Sequence, residues 1–188
     1  VLKSAVSDKL LAANVADDIL RNTDKIKYKP SEKRPLTPDE KKAIFDATYK
    51  YDSDQAYVYL IYGCGLRREE CVALTIFDFN FKKREVSISK AYEYITNTPG
   101  VKDPKSANGI RTIPIPSKIL PVVQSYVESV KHSGRTQLFV TMRDKKPLTK
   151  SAYDKMWKRI VESMQAVCKE DIVGLTGHVF RHNYCSSL

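Results

Sequence analysis

FDFNFKKREVSI, residues 77–88, is where the hydrophobic period of this chain changes. Phe77, Phe79 and Phe81 alternate with polar residues, KKRE turns the chain, and Val86 and Ile88 alternate again. Period two on both sides of a charged turn predicts an antiparallel hairpin. The flanking segments run mostly at helical spacing, so this one stretch moves the chain from all-α to α+β. A further strand is expected in NGIRTIPIP, 108–116, entered through an Asn-Gly turn; Pro114 marks it as an edge strand or as one ending there. The expected fold is α+β: a mostly helical domain with a small three-stranded antiparallel sheet.

Working upstream, SDQAYVYLIYGCGLRREECVAL, 53–74, is apolar all round before Gly63 and Gly65. It reads as a buried helix that breaks at the glycines and restarts at Arg67, although periodicity alone leaves a strand open for AYVYLIY. Ahead of it, LTPDEKKAIFDATYKY carries a capping box of Thr37 and Glu40 with Pro38 at the first helical position, and an apolar stripe of Ile44, Ala47 and Tyr51. Downstream, three helical stretches are expected: Leu120, Val123, Val127 and Val130; then Met156, Ile160, Met164 and Val167; then TGHVFRHNYCSSL. Residues 5–20 read as the end of an earlier helix, followed by a polar, basic, proline-containing linker. The expected division is residues 1–21 in a preceding domain, 22–35 as linker and 36–188 as the main domain.

Lysine and arginine number 32 against 22 acidic residues, a net charge of +10 over 188 residues. An excess of that size points to a polyanionic partner, with nucleic acid first, against the plainer reading of a solvated basic surface. No apolar run approaches the ~20 residues that span a bilayer, and the first twenty residues mix charge into every turn, unlike a signal peptide. Cys64, Cys71, Cys168 and Cys185 are scattered without a C-x-x-C pair, as expected for reduced thiols in a cytoplasmic protein.

Two segments carry chemistry. In GLRREE, Arg67 opens a helix where backbone N–H groups are unpaired, and Glu70 sits three residues on, able to brace the guanidinium. The bland alternative is a surface ion pair. In GHVFRH, the spacing of His178, Arg181 and His182 puts all three on one helical face. His178, His182 and Cys185 could be read as a zinc set. But no glutamate follows His178 to act as general base, and Arg181 sets a fixed positive charge among the ligands. A phosphate fits better: the arginine offers a bidentate fork and the histidine can move a proton near neutrality. The remaining reading is the polar face of an amphipathic helix.

G-L-R-x-x-E, a lysine on a hairpin ahead of R-T-I-P-I-P, and H-x-x-R-H, in this order, together resemble the tyrosine recombinase (phage integrase) family, and PKSANGIRTIPIP is especially similar to integrases of conjugative transposons and related phages. LLAANVADDI, 10–19, resembles the end of that family's core-binding domain, with Val15 where proline is more usual. A type IB topoisomerase fits less well.

The resemblance implies that Arg67 and Arg181 hold the scissile phosphate, that Lys105 is the mobile hairpin lysine, and that His178 is the first histidine of the site. His182 and Glu70 would support them. Arg111 is read as a backbone or DNA contact, and Lys102 is the fallback if the hairpin register differs. The implied activity is site-specific cleavage and rejoining of double-stranded DNA at attachment sites through a 3′-phosphotyrosine link, without metal or cofactor. Implied partners are DNA, a tetramer for the parent protein, and accessory bending or excision factors. The implied location is the bacterial cytoplasm, at the nucleoid. The family's nucleophilic tyrosine follows the H-x-x-R helix, so the catalytic domain is expected to be truncated at its C-terminus and inactive alone. Tyr184 is expected to turn about 240° from His178 and pack in the core beside Phe180. The contrasting expectation, from another functional class, is a non-catalytic DNA-binding module using the same basic cleft.

Overall fold

The computed structural model describes residues 34–102 and 110–186, together with 7, 8, 12 and 15. The chain divides into two compact units, Val1–Glu32 and Lys33–Leu188. Most of the residues expected to form the preceding-domain helix and the linker, the expected Asn108-Gly109 turn, and Lys105 lie outside the described residues.

Helix α1 (Pro38–Asp46) begins as its sequence demands: Thr37 Oγ1 accepts from Glu40 N–H at 3.1 Å and Glu40 Oε2 accepts from Thr37 N–H at 2.9 Å. Of its expected apolar stripe only Ile44 lies within the helix; Ala47 is the C-cap and Tyr51 caps the next helix. Helix α2 (Asp52–Cys64) resolves the open choice in favour of helix. Ala56, Tyr57, Val58, Leu60, Ile61 and Cys64 are all fully buried, so partners enclose it on every side and no amphipathic period survives. Gly65 closes it with a left-handed φ of 60°. Arg67 then caps the short helix α3 (Arg68–Val72).

The period-two segment is a hairpin, but it starts later than Phe77. Ile76–Asp78 form a 3-10 turn, with Asp78 Oδ2 accepting from Thr75 N–H at 2.7 Å, and Phe77 is left 77% exposed on it. Strands β1 (Phe79–Asn80) and β2 (Glu85–Ile88) pair antiparallel with Phe79 opposite Val86. A second antiparallel hairpin, β3 (Ala91–Ile95) with β4 (Thr98–Lys102), follows as a separate two-stranded sheet; hydrophobic period predicts no strand there, although the resemblance implies a lysine-bearing hairpin ahead of RTIPIP. Strand β5 (Arg111–Pro114) then returns to β2, with Ile88 opposite Arg111 and Glu85 opposite Pro114. The main sheet runs β1-β2-β5, so Pro114 does sit on an edge strand.

Helices α4 (Leu120–His132), α5 (Lys150–Gln165) and α6 (Gly177–Cys185) complete the unit. Helix α5 ends before Val167, which is exposed rather than part of the core stripe. Helix α2 packs against α4, α5 and α6. Phe180 is the anchor of α6: it is fully buried, edge-on to Tyr62 of α2 at 6.3 Å and to Trp157 of α5 at 5.8 Å. Aromatic pairs in that geometry add to the area they bury. Its neighbour in the chain is Arg181, so this anchoring sets where that guanidinium reaches.

Candidate functional site

Glu70 organises the site. Its side chain is 8% exposed, yet four donors converge on its carboxylate. Oε1 accepts from Arg67 Nη1 at 2.8 Å and Arg111 Nη1 at 3.0 Å; Oε2 accepts from the Arg67 backbone N–H at 2.9 Å and Arg111 Nη2 at 2.6 Å. Burial by itself would raise the Glu70 pKa, but the hydrogen bonds from Arg111 and Arg67 outweigh it and hold the carboxyl down at about 2. The backbone bond completes the start of α3, and the expected brace between Glu70 and Arg67 is present. The Arg67 side chain remains 52% exposed.

Helix α6 lies along the segment that presents Arg67. Arg181 Nη1 donates to the Gly65 carbonyl oxygen at 2.5 Å. Three residues further on, the Tyr184 ring rests on Gly65: a Cβ placed there would meet Tyr184 Cδ1 at 2.2 Å. At the other end of α6, a Cβ on Gly177 would lie 3.9 Å from Arg68 Cβ and 3.8 Å from the Tyr57 hydroxyl. Residues 65–68 therefore run beside α6 from Gly177 to Tyr184, the helix that carries His178 and Arg181. His178 is exposed on the first turn of α6, and His182 is half-buried one turn on.

Tyr184 corrects the expectation that it packs in the core beside Phe180. It is half-exposed and sits over Gly65, where the missing side chain leaves a flat seat, while Val179 and Phe180 are the residues of α6 that enter the core. Burial pushes its phenol pKa up, and the nearby Arg111 opposes that.

The other expected residues divide. Arg111, read as a backbone or DNA contact, has its guanidinium forked onto Glu70. Lys102 ends β4 and pairs across the hairpin with Glu93 of β3. Lys105 lies outside the described residues. Among the described residues, no group of three or more histidine, cysteine, aspartate or glutamate side chains is placed to hold a metal. The Arg111–Glu70 pair was missed in the sequence, though the alternation in RTIP that makes Arg111 and Ile113 half-buried and Thr112 and Pro114 exposed was a signal for it.

Chemically, Arg67 and Arg181 supply guanidinium groups suited to a phosphate, and His178, exposed on the same helix as Arg181, supplies an imidazole able to move a proton near neutrality.

Residues 34–188 match the phage integrase family model. The transposase from transposon Tn916 of Enterococcus faecalis is 24% identical over 151 residues, covering 76% of this chain and 36% of that protein. Tyrosine recombinase XerA of Pyrococcus furiosus is 28% identical over 156 residues, covering 82% and 48% respectively. The chain thus spans less than half the length of these relatives. Among solved structures, the Tn1549 transposon integrase in complex with a circular intermediate DNA superposes with a TM-score of 0.71 at 23% identity, covering 98% of this chain and 62% of that one. A crystal structure of XerA recombinase gives 0.62 at 19% identity, covering 93% and 57%.

Proposed function

The chain belongs to the phage integrase family, and from that premise we propose that its protein is a site-specific DNA recombinase. It cleaves and rejoins DNA strands through a 3′-phosphotyrosine intermediate, integrating or excising a mobile element. The observation that carries this reading is the run of α6 beside residues 65–68, with Arg181 on the Gly65 carbonyl two residues before Arg67.

In this reading a tyrosine oxygen attacks a DNA phosphodiester in line and the 5′-oxygen leaves. The five-coordinate phosphorus carries more negative charge than the ground state, so Arg67 and Arg181, aimed at its non-bridging oxygens, bind the transition state preferentially. Loss of one such donor costs roughly 3–4 kcal/mol in comparable sites. His178 takes the phenol proton, easing an ionisation that costs roughly 4 kcal/mol at neutral pH. Lys105 returns a proton to the leaving 5′-oxygen, and the reverse sequence rejoins the strand. Glu70 and His182 hold the donors, and no metal is required.

We assign the nucleophile to none of the eleven tyrosines in these 188 residues. Tyr57, Tyr59, Tyr92, Tyr126 and Tyr153 are buried, and Tyr184 is seated on Gly65. The chain by itself is therefore proposed to bind DNA without cutting it. The whole recombinase is proposed to act in the bacterial cytoplasm as a tetramer on two attachment sites, with accessory bending or excision factors.

The test is a nicked duplex carrying the mobile element's end, incubated with the whole recombinase and resolved on a denaturing gel. A covalent protein–DNA band that Arg67→Lys abolishes, with duplex affinity within a few-fold of the unsubstituted protein, is the expected result. Salt-sensitive binding with no band would leave a non-catalytic DNA-binding module instead. A band formed by the 188-residue chain would overturn the nucleophile assignment.

A further inference from the structure

We propose that Arg111 is a positioning residue: by neutralising Glu70 from behind, it leaves the positive charge of Arg67 available to a phosphate. This rests on the recombinase reading for its purpose and on the geometry around Glu70 for its support.

An isolated Arg67–Glu70 pair would be neutral, and its carboxylate would compete with a phosphate for the same guanidinium. Arg111 changes both terms. It places one N–H on each Glu70 oxygen, at 3.0 and 2.6 Å, whereas the Arg67 guanidinium makes a single bond, from Nη1 at 2.8 Å. With the Arg67 backbone N–H at 2.9 Å, each carboxylate oxygen accepts two hydrogen bonds and its lone pairs are filled. The fork-to-fork contact is the stronger of the two and fixes the plane of the carboxylate. Exposure follows the same asymmetry: the Arg111 side chain is 25% exposed and that of Arg67 52%. The trio carries one net positive charge, and its more accessible guanidinium is Arg67. Because Arg111 opens β5, 41 residues along the chain from Glu70, the contact also ties the sheet to the arginine-bearing turn.

Two rival roles make different predictions: a direct DNA contact, or a fold staple indifferent to charge. The experiment uses the 188-residue chain and a short labelled duplex. Arg111→Met is expected to weaken binding about tenfold. Adding Glu70→Gln to that variant removes the charge that needed neutralising, and is expected to restore affinity to within about threefold of the unsubstituted chain. Arg111→Lys, which keeps charge but loses the fork, should fall between. A double variant as weak as Arg111→Met or weaker overturns the proposal, since neither a lost DNA contact nor a lost staple is repaired by Glu70→Gln.

A second readout does not depend on DNA. Carboxyl NMR of Glu70 should show its titration moving up toward the ordinary glutamate range in Arg111→Met and staying depressed in Arg111→Lys. An unmoved Glu70 titration in Arg111→Met overturns the proposal. Absence of any salt-sensitive duplex binding by the unsubstituted chain would instead count against the recombinase reading, while the Glu70 titration still decides the role of Arg111.

Discussion

Arg181 donates to the backbone carbonyl of Gly65 at 2.5 Å, reaching across 116 residues of sequence to the turn that presents Arg67. Gly65 also seats Tyr184, because it is bare. Its left-handed backbone ends α2, and the missing side chain leaves room for the Tyr184 ring.

Gly65→Ala should therefore strain the backbone and drive a methyl into the Tyr184 ring at once. A loss of about 1–3 kcal/mol is expected from the backbone alone, read as a lower urea midpoint. Duplex affinity should fall further than that of a variant equally destabilised elsewhere in the core.

Phe180→Ala removes the anchor that holds α6 against α2 and α5. The expected loss is about 3–5 kcal/mol of stability, measurable by urea denaturation. Phe180→Leu, which keeps most of the volume, should retain most of the stability and the DNA affinity.

Glu70 gives the fold an acid-sensitive point. Its folded pKa of about 2 lies below the ordinary glutamate value of 4.5, so its contribution is full above the unfolded pKa and fades as pH falls from about 5 toward 2. Urea midpoints measured from pH 6 down to 3 should therefore decline less steeply in Glu70→Gln. Equal slopes in the two proteins would show that the carboxylate is not held by its arginines in solution.

Duplex binding should weaken steeply with salt, because each phosphate contact releases counterions. Substituting Arg67 or Arg181 by methionine should each lower the slope of log affinity against log salt by about one. Affinity unchanged between low and physiological salt would exclude a phosphate-binding cleft.

Local rules made much of the fold readable. The Thr37–Glu40 box, the Gly65 stop and the charged turn before Val86 each declare themselves within a few residues. The hairpin β3–β4 did not, because its turn uses Thr96 in a left-handed conformation at φ 64°, where glycine or asparagine would have signalled it. Phe77 alternates correctly but falls on a 3-10 turn, since Asp78 satisfies the Thr75 N–H locally and delays the strand. Tyr184 was misjudged by counting turns from His178, which ignores that a side-chain-free glycine can seat a ring from another helix. In the site, the Arg67–Glu70 brace was legible at three-residue spacing, whereas the Arg111 fork onto the same carboxylate depends on strand pairing 41 residues away.

The most direct measurement is a structure of this chain bound to a DNA duplex, reading the distances from the Arg67 and Arg181 guanidinium nitrogens to the phosphates. Both are expected to lie within hydrogen-bonding distance, about 2.7–3.2 Å, of non-bridging oxygens on one and the same phosphate. Arginines resting on separate phosphates, or on a face the duplex does not touch, would contradict it.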